Sequence, residues 1–202
     1  MDILLPFLGQ RASLDHWEVR PIATGTLAGP RPQDPRDAHV RVVGRARPGL
    51  PVEGGLHRRM QGHVMAYDVF PDHVITGVIR RAPVQVGDTV GAVYHLMPGV
   101  DVAFASRVIA TVDGEVDGYW KTGFTYQTLE GHPELGEETF SVETSLETGE
   151  VRVALRAWSR PGTLLARLIA PLARRWQLAG GRAALDHLES RALNPVAADP
   201  AP

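Results

Sequence analysis

The sequence predicts an α+β fold in which an antiparallel sheet of six to seven strands wraps on one long C-terminal helix. Six strand-like runs between residues 73 and 159 are separated by short turns rich in Gly, Pro and Asp. Such short breaks suit hairpins better than βαβ crossovers. Large apolar side chains recur at helical spacing over residues 163–189, which is typical of a helix that buries one face.

Residues 1–55 are predicted to form an N-terminal arm with one or two strands. Residues 21–55 contain six prolines and six glycines, and such a composition does not sustain long helices. Within the arm, HVRVVGRA at residues 39–46 is a plausible strand. The main domain is predicted to span residues 56–190.

The main domain begins with a modest helix candidate at residues 56–70, closed by Pro71. Alternation of side chains along each following strand gives the sheet one inner face and one wet face. On the last strand Arg152 and Arg156 point away from Val153. The strand-like runs are residues 73–81, 88–97, 100–112, 119–129, 137–146 and 150–159.

The last helix is predicted to cover the inner face of the sheet. Its apolar stripe is formed by Leu165, Ile169, Leu172 and Trp176, and is continued by Ala179 and Ala183. A proline at position 171 lies inside this helix and is expected to kink it. The kink predicts either a cavity of a few hundred cubic ångströms above the sheet or local accommodation. Residues 191–202 are small and Pro-rich, which predicts a disordered tail.

The composition excludes several classes of function. A net charge of −2 leaves no basic surface for nucleic acid, and the absence of cysteine excludes thiol nucleophiles, iron–sulfur clusters and Cys-based zinc sites. No nucleotide-binding, metalloprotease or nucleophile-elbow motif occurs, so we expect no cofactor and no metal. The first residues do not have the pattern of a signal peptide and no run of eighteen apolar residues occurs, so we expect a soluble cytoplasmic protein without integral membrane association.

The densest polar group of the chain lies in residues 126–138 and supplies the candidate catalytic residues His132, Glu138 and Tyr126. Imidazole and carboxylate groups suit acid–base chemistry. The alternative is a solvated hairpin loop whose turn is set by Gly and Pro. Glu138 shares its strand face with Phe140, which predicts an inward carboxylate with a raised pKa. The alternative is an ion pair with Arg160 at the mouth of the strand.

A predicted ligand site lines the concave side of the sheet and the helix above it. Inner hydroxyl and aromatic groups would contact the ligand, although hydrogen bonding within an ordinary core is an equally simple explanation for the hydroxyls. The predicted ligand-binding residues are Phe104, Ser106, Thr122, Phe124, Tyr126, Glu138, Arg160, Ile169, Leu172 and Trp176.

Two blocks of the sequence carry a family resemblance. FTYQTLEGHPELGEETFSVE at residues 124–143 and RAWSRPGTLLARLIAPLARRWQ at residues 156–177 resemble the family called "domain of unknown function nineteen-ninety". Phe70-Pro71 and the Val-Gly-Asp-Thr-Val turn at residues 86–90 are similar to that family as well. The chain departs from the family pattern at Gln127, Glu130 and Trp158. It retains His132, Glu134, Glu137, Glu138, Ser159, Arg160 and Pro161.

The resemblance covers residues 56–189 and implies a helix-grip fold, as in the birch-pollen allergen and the START domains. That fold class implies an apolar cavity between sheet and helix. The leading hypothesis is therefore a START-like protein that binds a small apolar or amphipathic ligand such as a lipid, an isoprenoid or a polyketide-like molecule. One alternative is a cofactor-free cyclase, isomerase or hydrolase that uses His132 and Glu138. Another is an interaction module whose arm docks a partner or a second copy in a homodimer.

Overall fold

A computed structural model describes residues 2–23, 38–161 and 170–194 of the chain. Within these ranges the side chains of residues 160, 161 and 170–177 are outside the description. The secondary-structure elements, in chain order, are β1 Asp2–Leu4, a 3-10 helix Pro6–Leu8, α1 Leu14–Glu18, β2 Ala38–Arg45, α2 Leu56–Met65, β3 Ile75–Val78, β4 Thr89–Met97, β5 Val100–Val116, β6 Tyr119–Thr128, β7 Glu134–Ser145, β8 Glu150–Pro161 and α3 Ala170–Leu193.

The sheet has the predicted antiparallel organisation. Its strands are ordered β2-β8-β7-β6-β5-β4-β3, and the short β1 pairs with the first part of β5. All strand pairs are antiparallel, and the consecutive strands from β3 to β8 are neighbours, as a meander of hairpins requires. The strand predicted at residues 39–46 joins this sheet as β2 beside β8. The fold class predicted from the sequence is therefore confirmed.

Helix α2 ends earlier than the pattern of residues 56–70 predicts. Its last residue is Met65, and Tyr67 adopts a left-handed backbone conformation with φ of 57°. This conformation is uncommon for a residue with a Cβ atom and does not continue a right-handed helix. The chain therefore turns at Tyr67 instead of running as a helix to Pro71.

The main core lies between the concave face of the sheet and the two longer helices. Phe124 pairs with Phe140, and Phe140 pairs with Leu155, so these side chains share one face as alternation predicts. Helix α2 adds Met60 and Val64 to the same core. Helix α3 adds Ala184, Leu185 and Leu188. The described part of α3 thus packs against the sheet, which is the helix-grip arrangement.

The buried stripe of α3 differs from the predicted one by one residue. Ala179 is exposed and Ala183 is only partly buried, whereas Gly180 and Ala184 are buried. The prediction for Ala179 was wrong, because the buried positions in this part of the helix recur every four residues at Gly180, Ala184 and Leu188. The predicted contacts of Leu165, Ile169, Leu172 and Trp176 and the kink at Pro171 lie outside what is described. Of the tail predicted at residues 191–202, residues 191–193 belong to α3, and residues 195–202 lie outside the description. No helix in the described ranges is long and apolar enough to cross a membrane.

Part of the N-terminal arm packs on the convex face of the chain's own sheet. Leu14 and Trp17 of α1 join Ala103 and Ala105 of β5 in a second buried cluster. The Trp17 ring lies over Gly91, where a Cβ atom would approach it to 2.3 Å. A glycine at this position therefore makes room for the indole.

The convex face also carries a buried acidic side chain. Glu143 has no exposed surface and forms ion pairs with Arg152 at 2.8 Å and with Arg156 at 2.6 Å. The arginines lie on the face opposite Val153, as their alternation in the sequence predicts.

Candidate functional site

Polar side chains collect at one end of the concave face, beside the loop that joins β6 to β7. We call this region the polar end and define it by Phe104, Ser106, Tyr126, His132 and Glu138. The strand register brings β5, β6, β7 and β8 side by side here, because Tyr126 pairs with Val108 and with Glu138, and Glu138 pairs with Ala157. Ser106, Tyr126 and Glu138 therefore lie on three neighbouring strands and on the same face of the sheet.

A hydrogen bond joins Tyr126 and Glu138 at the polar end. The Tyr126 hydroxyl donates to Oε2 of Glu138 over 2.6 Å. The Tyr67 ring lies beside Tyr126, with ring centroids 6.3 Å apart.

The surroundings of Glu138 favour its protonated form. Burial raises the pKa of Glu138 to about 7, and the negative charge of Glu134 adds to this effect, whereas the hydrogen bond from Tyr126 opposes it. Burial and the nearby Glu138 charge also raise the pKa of Tyr126 well above its usual value. Tyr126 is therefore a neutral donor at physiological pH, while Glu138 can gain or lose a proton near pH 7.

Aromatic rings fix the position of Tyr126. The Tyr67 ring makes edge contacts with Phe70, Phe124, Tyr126 and Phe140 at centroid distances of 5.9 to 6.3 Å. Phe124 and Phe140 stack at 5.4 Å and are fully buried. Buried rings in such contacts hold their neighbours rigidly. The packed rings of Tyr67, Phe124 and Phe140 thus orient the Tyr126 hydroxyl towards Glu138.

The backbone at Tyr67 is adapted to this role. Its left-handed conformation brings the ring over Gly77, where a Cβ atom would lie 3.1 Å from the ring. Strained backbone conformations of this kind persist where the surrounding packing determines them. The sequence analysis did not find Tyr67, because no local pattern marks a non-glycine residue for the left-handed region.

His132 occupies the polar end but is not joined to Glu138. Its ring makes an edge contact with Phe104 at 4.7 Å, and Nδ1 lies 3.0 Å from the backbone nitrogen and 2.9 Å from the carbonyl oxygen of Glu134. Burial lowers the pKa of His132 to about 3, so the imidazole is neutral at physiological pH. No described hydrogen bond connects it to Glu138 or to Tyr126.

Thr122 belongs to a different polar network near the other end of the sheet. Four residues separate it from Tyr126, which is about 13 Å along a strand. It donates to Asp113 over 2.7 Å and contacts Nε2 of the buried His57 at 2.9 Å, while Nδ1 of His57 lies 2.8 Å from Thr144. Burial lowers the pKa of His57 to about 4. The hydroxyl of Thr122 thus stabilises the core.

The comparisons with known proteins identify the family. A family model described as "Domain of unknown function (DUF1990)" matches residues 20–187. The chain belongs to the DUF1990 family. A UPF0548 protein from Dictyostelium discoideum is 32% identical over 105 residues, which cover 48% of each chain. This DUF1990 chain therefore spans about half the length of that relative.

Solved structures similar to the DUF1990 chain have low sequence identity. A hypothetical protein from Helicobacter pylori has 12% identity and a TM-score of 0.49, with coverage of 77% of this chain and 86% of the other. The crystal structure of Ara h 8.0201 has 9% identity and a TM-score of 0.41, with coverage of 77% and 98%.

The remaining predicted ligand residues of the DUF1990 chain have mixed outcomes. Ser106 is buried on the concave face opposite Thr128, beside the polar end. The side chains of Arg160, Ile169, Leu172 and Trp176 lie outside the description. The backbone of Arg160 pairs with Leu135, three positions from Glu138. The ion pair between Glu138 and Arg160 therefore stays a prediction.

Two surface depressions are lined by described residues away from the polar end. One, of about 500 Å³, lies beside α2 and is lined by Arg58, Gln61 and Pro83 among others. The other, of about 190 Å³, lies near Thr89 and Arg107. The predicted apolar cavity beneath the first half of α3 falls on residues outside the description.

A cluster of charged side chains connects the end of α2 to α3. Asp68 contacts His63 at 2.8 Å, His187 at 2.9 Å and Arg191 at 3.3 Å. Partial burial raises the pKa of Asp68, but the hydrogen bonds from both histidines and the Arg191 charge outweigh this effect and lower it below its usual value. The sequence analysis missed this cluster because Asp68 and His187 are 119 residues apart in the sequence.

Proposed function

We propose that this DUF1990 protein binds a small amphipathic molecule at the polar end of the concave face. The observation that carries the proposal is the Tyr126–Glu138 hydrogen bond of 2.6 Å, which places a polar pair on the otherwise apolar inner side of the sheet. Ligand sites are typically concave and apolar, with a few polar groups that fix orientation. Here the apolar part is supplied by Phe104, which is partly exposed.

The second candidate is a cofactor-free enzyme that uses acid–base chemistry. The 2.6 Å hydrogen bond from Tyr126 to Glu138 favours it, together with the burial that raises the pKa of Glu138 to about 7, a value that suits proton transfer at neutral pH. His132 gives it less support, since burial lowers its pKa to about 3 and its Nδ1 faces the backbone of Glu134. Binding needs only the pair and the apolar wall, so it is the function that the geometry supports best.

The proposal is tested by the fluorescence of Nile red, a neutral dye whose emission rises in apolar surroundings. We expect saturable binding to the wild-type protein and displacement by decanol. In Tyr126→Phe, the loss of one hydrogen-bonding hydroxyl should weaken decanol binding about five-fold, which corresponds to about 1 kcal/mol.

Tyr119→Phe is the matched control, because Tyr119 also bears a phenolic hydroxyl but contacts Arg152 on the other face of the sheet. This variant should bind decanol as the wild type does. Absence of saturable dye binding, or an equal effect of the two substitutions, would contradict the proposal.

A further inference from the structure

The N-terminal arm and the convex face of the sheet border a depression of about 190 Å³. Thr89 of β4 lies directly opposite Arg107 of β5 in the strand register. By alternation, Thr89 shares its face with Gly91, over which the Trp17 ring of the arm packs. The depression therefore lies on the side of the sheet opposite the polar end. Its lining residues are Glu18, Arg80, Gly87, Asp88, Thr89 and Arg107.

Thr89 brings a buried hydroxyl group without a partner to this depression. The residue is 4% exposed, and its Oγ1 forms no hydrogen bond within the described ranges. Because most buried polar groups in native proteins are hydrogen-bonded, such an exception calls for an explanation. The hydroxyl and methyl groups of a threonine exchange places by a turn about χ1. This turn lets the Thr89 hydroxyl meet a ligand in the depression.

Arg107 places a positive charge beside Thr89. Its guanidinium group donates hydrogen bonds to backbone carbonyl oxygens: Nη2 to Glu18 over 2.9 Å and to Arg20 over 3.3 Å, and Nη1 to Gly87 over 3.4 Å. Carbonyl oxygens fix the orientation of the planar group, but they carry no net charge that would neutralise it. Arginine in a fixed orientation is well suited to bind phosphate or carboxylate groups.

The acidic side chains in the lining are paired with other arginines. Arg80 donates through Nε and Nη2 to the two carboxylate oxygens of Glu18, over 2.5 and 3.0 Å. Arg81 donates in the same two-pronged manner to Asp88, over 3.0 and 2.7 Å. Arg80 also contacts Asp15, whose carboxylate is largely exposed to solvent. The described ion pairs thus match both lining carboxylates with guanidinium groups, and a negatively charged ligand complements the arginine that contacts only carbonyl oxygens.

We infer that this depression binds a small oxyanion, namely phosphate or the phosphate end of an organic monoester. Its volume corresponds to about six water molecules at about 30 Å³ each. This space fits a hydrated phosphate group and is smaller than the sites that hold drug-sized ligands. In the complex, Arg107 and the turned hydroxyl of Thr89 donate to the phosphate oxygens. The site is separate from the polar end, so its failure would leave the proposed function untouched.

Isothermal titration calorimetry with inorganic phosphate tests the inference at pH 7.5, with the ionic strength held constant by NaCl. We expect saturable binding of one phosphate per chain. Glycerol 2-phosphate, titrated under the same conditions, distinguishes the two sources of the phosphate group. Tighter binding of the monoester would indicate an organic phosphate, and weaker binding would indicate the free ion.

Two substitutions remove the proposed donors. Arg107→Gln removes a charge-assisted hydrogen bond and should weaken phosphate binding at least about ten-fold. Thr89→Val keeps the shape of the side chain and removes the hydroxyl, which should weaken binding about five-fold.

Matched controls lie away from the depression. Arg59 also donates to a backbone carbonyl oxygen, that of Gly54, but on α2. Thr111 is exposed on the same strand as Arg107. Arg59→Gln and Thr111→Val should therefore bind phosphate as the wild type does.

The stability of Thr89→Val supplies a second readout, which remains available should Arg107→Gln fail to fold. Without phosphate, Thr89→Val should unfold at the same urea concentration as the wild type or at a higher one, because valine replaces a hydroxyl that has no partner. A lower midpoint would mean that the hydroxyl is already bonded within the folded protein, and this would overturn the inference. Absence of saturable binding, or an equal loss of affinity in the control variants, would overturn it as well.

Discussion

Replacement of Glu138 by Gln should change the pH dependence of stability. Burial raises the pKa of Glu138 from 4.5 to about 7. Between these values the folded protein holds the proton and the unfolded chain releases it, so the free energy of unfolding falls as the pH rises through this window. Above pH 7 the contribution of the Glu138 proton to the free energy of unfolding is lost completely. At about 1.4 kcal/mol per pH unit, the full loss is about 3 kcal/mol as an upper value.

The assay is urea unfolding of wild type and Glu138→Gln at pH 5 and pH 8. Other groups titrate equally in both proteins, so the difference between the two free energies isolates Glu138. Relative to the variant, the wild type should lose about 2–3 kcal/mol between these pH values. The variant should be close to the wild type at pH 5 and more stable than it at pH 8.

The exposed Glu115 provides the control, and Glu115→Gln should follow the pH profile of the wild type. Parallel profiles for wild type and Glu138→Gln would refute the claim that the carboxyl group of Glu138 is held in a desolvated position.

Three further substitutions probe other parts of the fold by urea unfolding. Thr122→Val removes the partner of His57 and Asp113, so it should cost about 1–3 kcal/mol and leave Nile red binding unchanged; weaker binding would contradict its structural role. Asp68→Asn should cost about 1–2 kcal/mol at pH 7, and this cost should shrink as the pH falls through the lowered pKa of the wild-type carboxyl group; a cost that does not change with pH would argue against a charge effect. Gly91→Ala should cost about 1–3 kcal/mol through its clash with the Trp17 ring, whereas Gly114→Ala meets no neighbour and should be neutral; equal stabilities would mean that the arm does not dock there.

The sheet could be predicted from the sequence because its determinants are local. Gly99, Gly118 and Gly149 adopt left-handed conformations at the hairpin turns, with φ of 80°, 75° and 71°. Glycine is favoured at such positions, and it marks each break between alternating strands. The same alternation correctly assigned Glu138 to the concave face.

The packing of the site could be predicted only in part, because it depends on contacts between distant residues. Tyr67 reaches Tyr126 through an unusual backbone conformation, and His57 reaches two threonines on different strands. Neither contact has a periodic signal in the sequence. The inward position of Thr122 was predicted from alternation. Its contacts with His57 and Asp113, which make it part of the core network, were not predicted, because such contacts between strands and a helix leave no local pattern.

Photolabelling tests the central claim, that a small molecule binds at the polar end, most directly. A decanol derivative that carries a diazirine would be cross-linked to the wild-type protein, and the labelled peptides mapped by mass spectrometry. We expect labels on β6 and β7 between residues 119 and 145, and their loss when excess decanol is present. Labels confined to the depression beside α2, or to the convex face around Trp17, would contradict the claim.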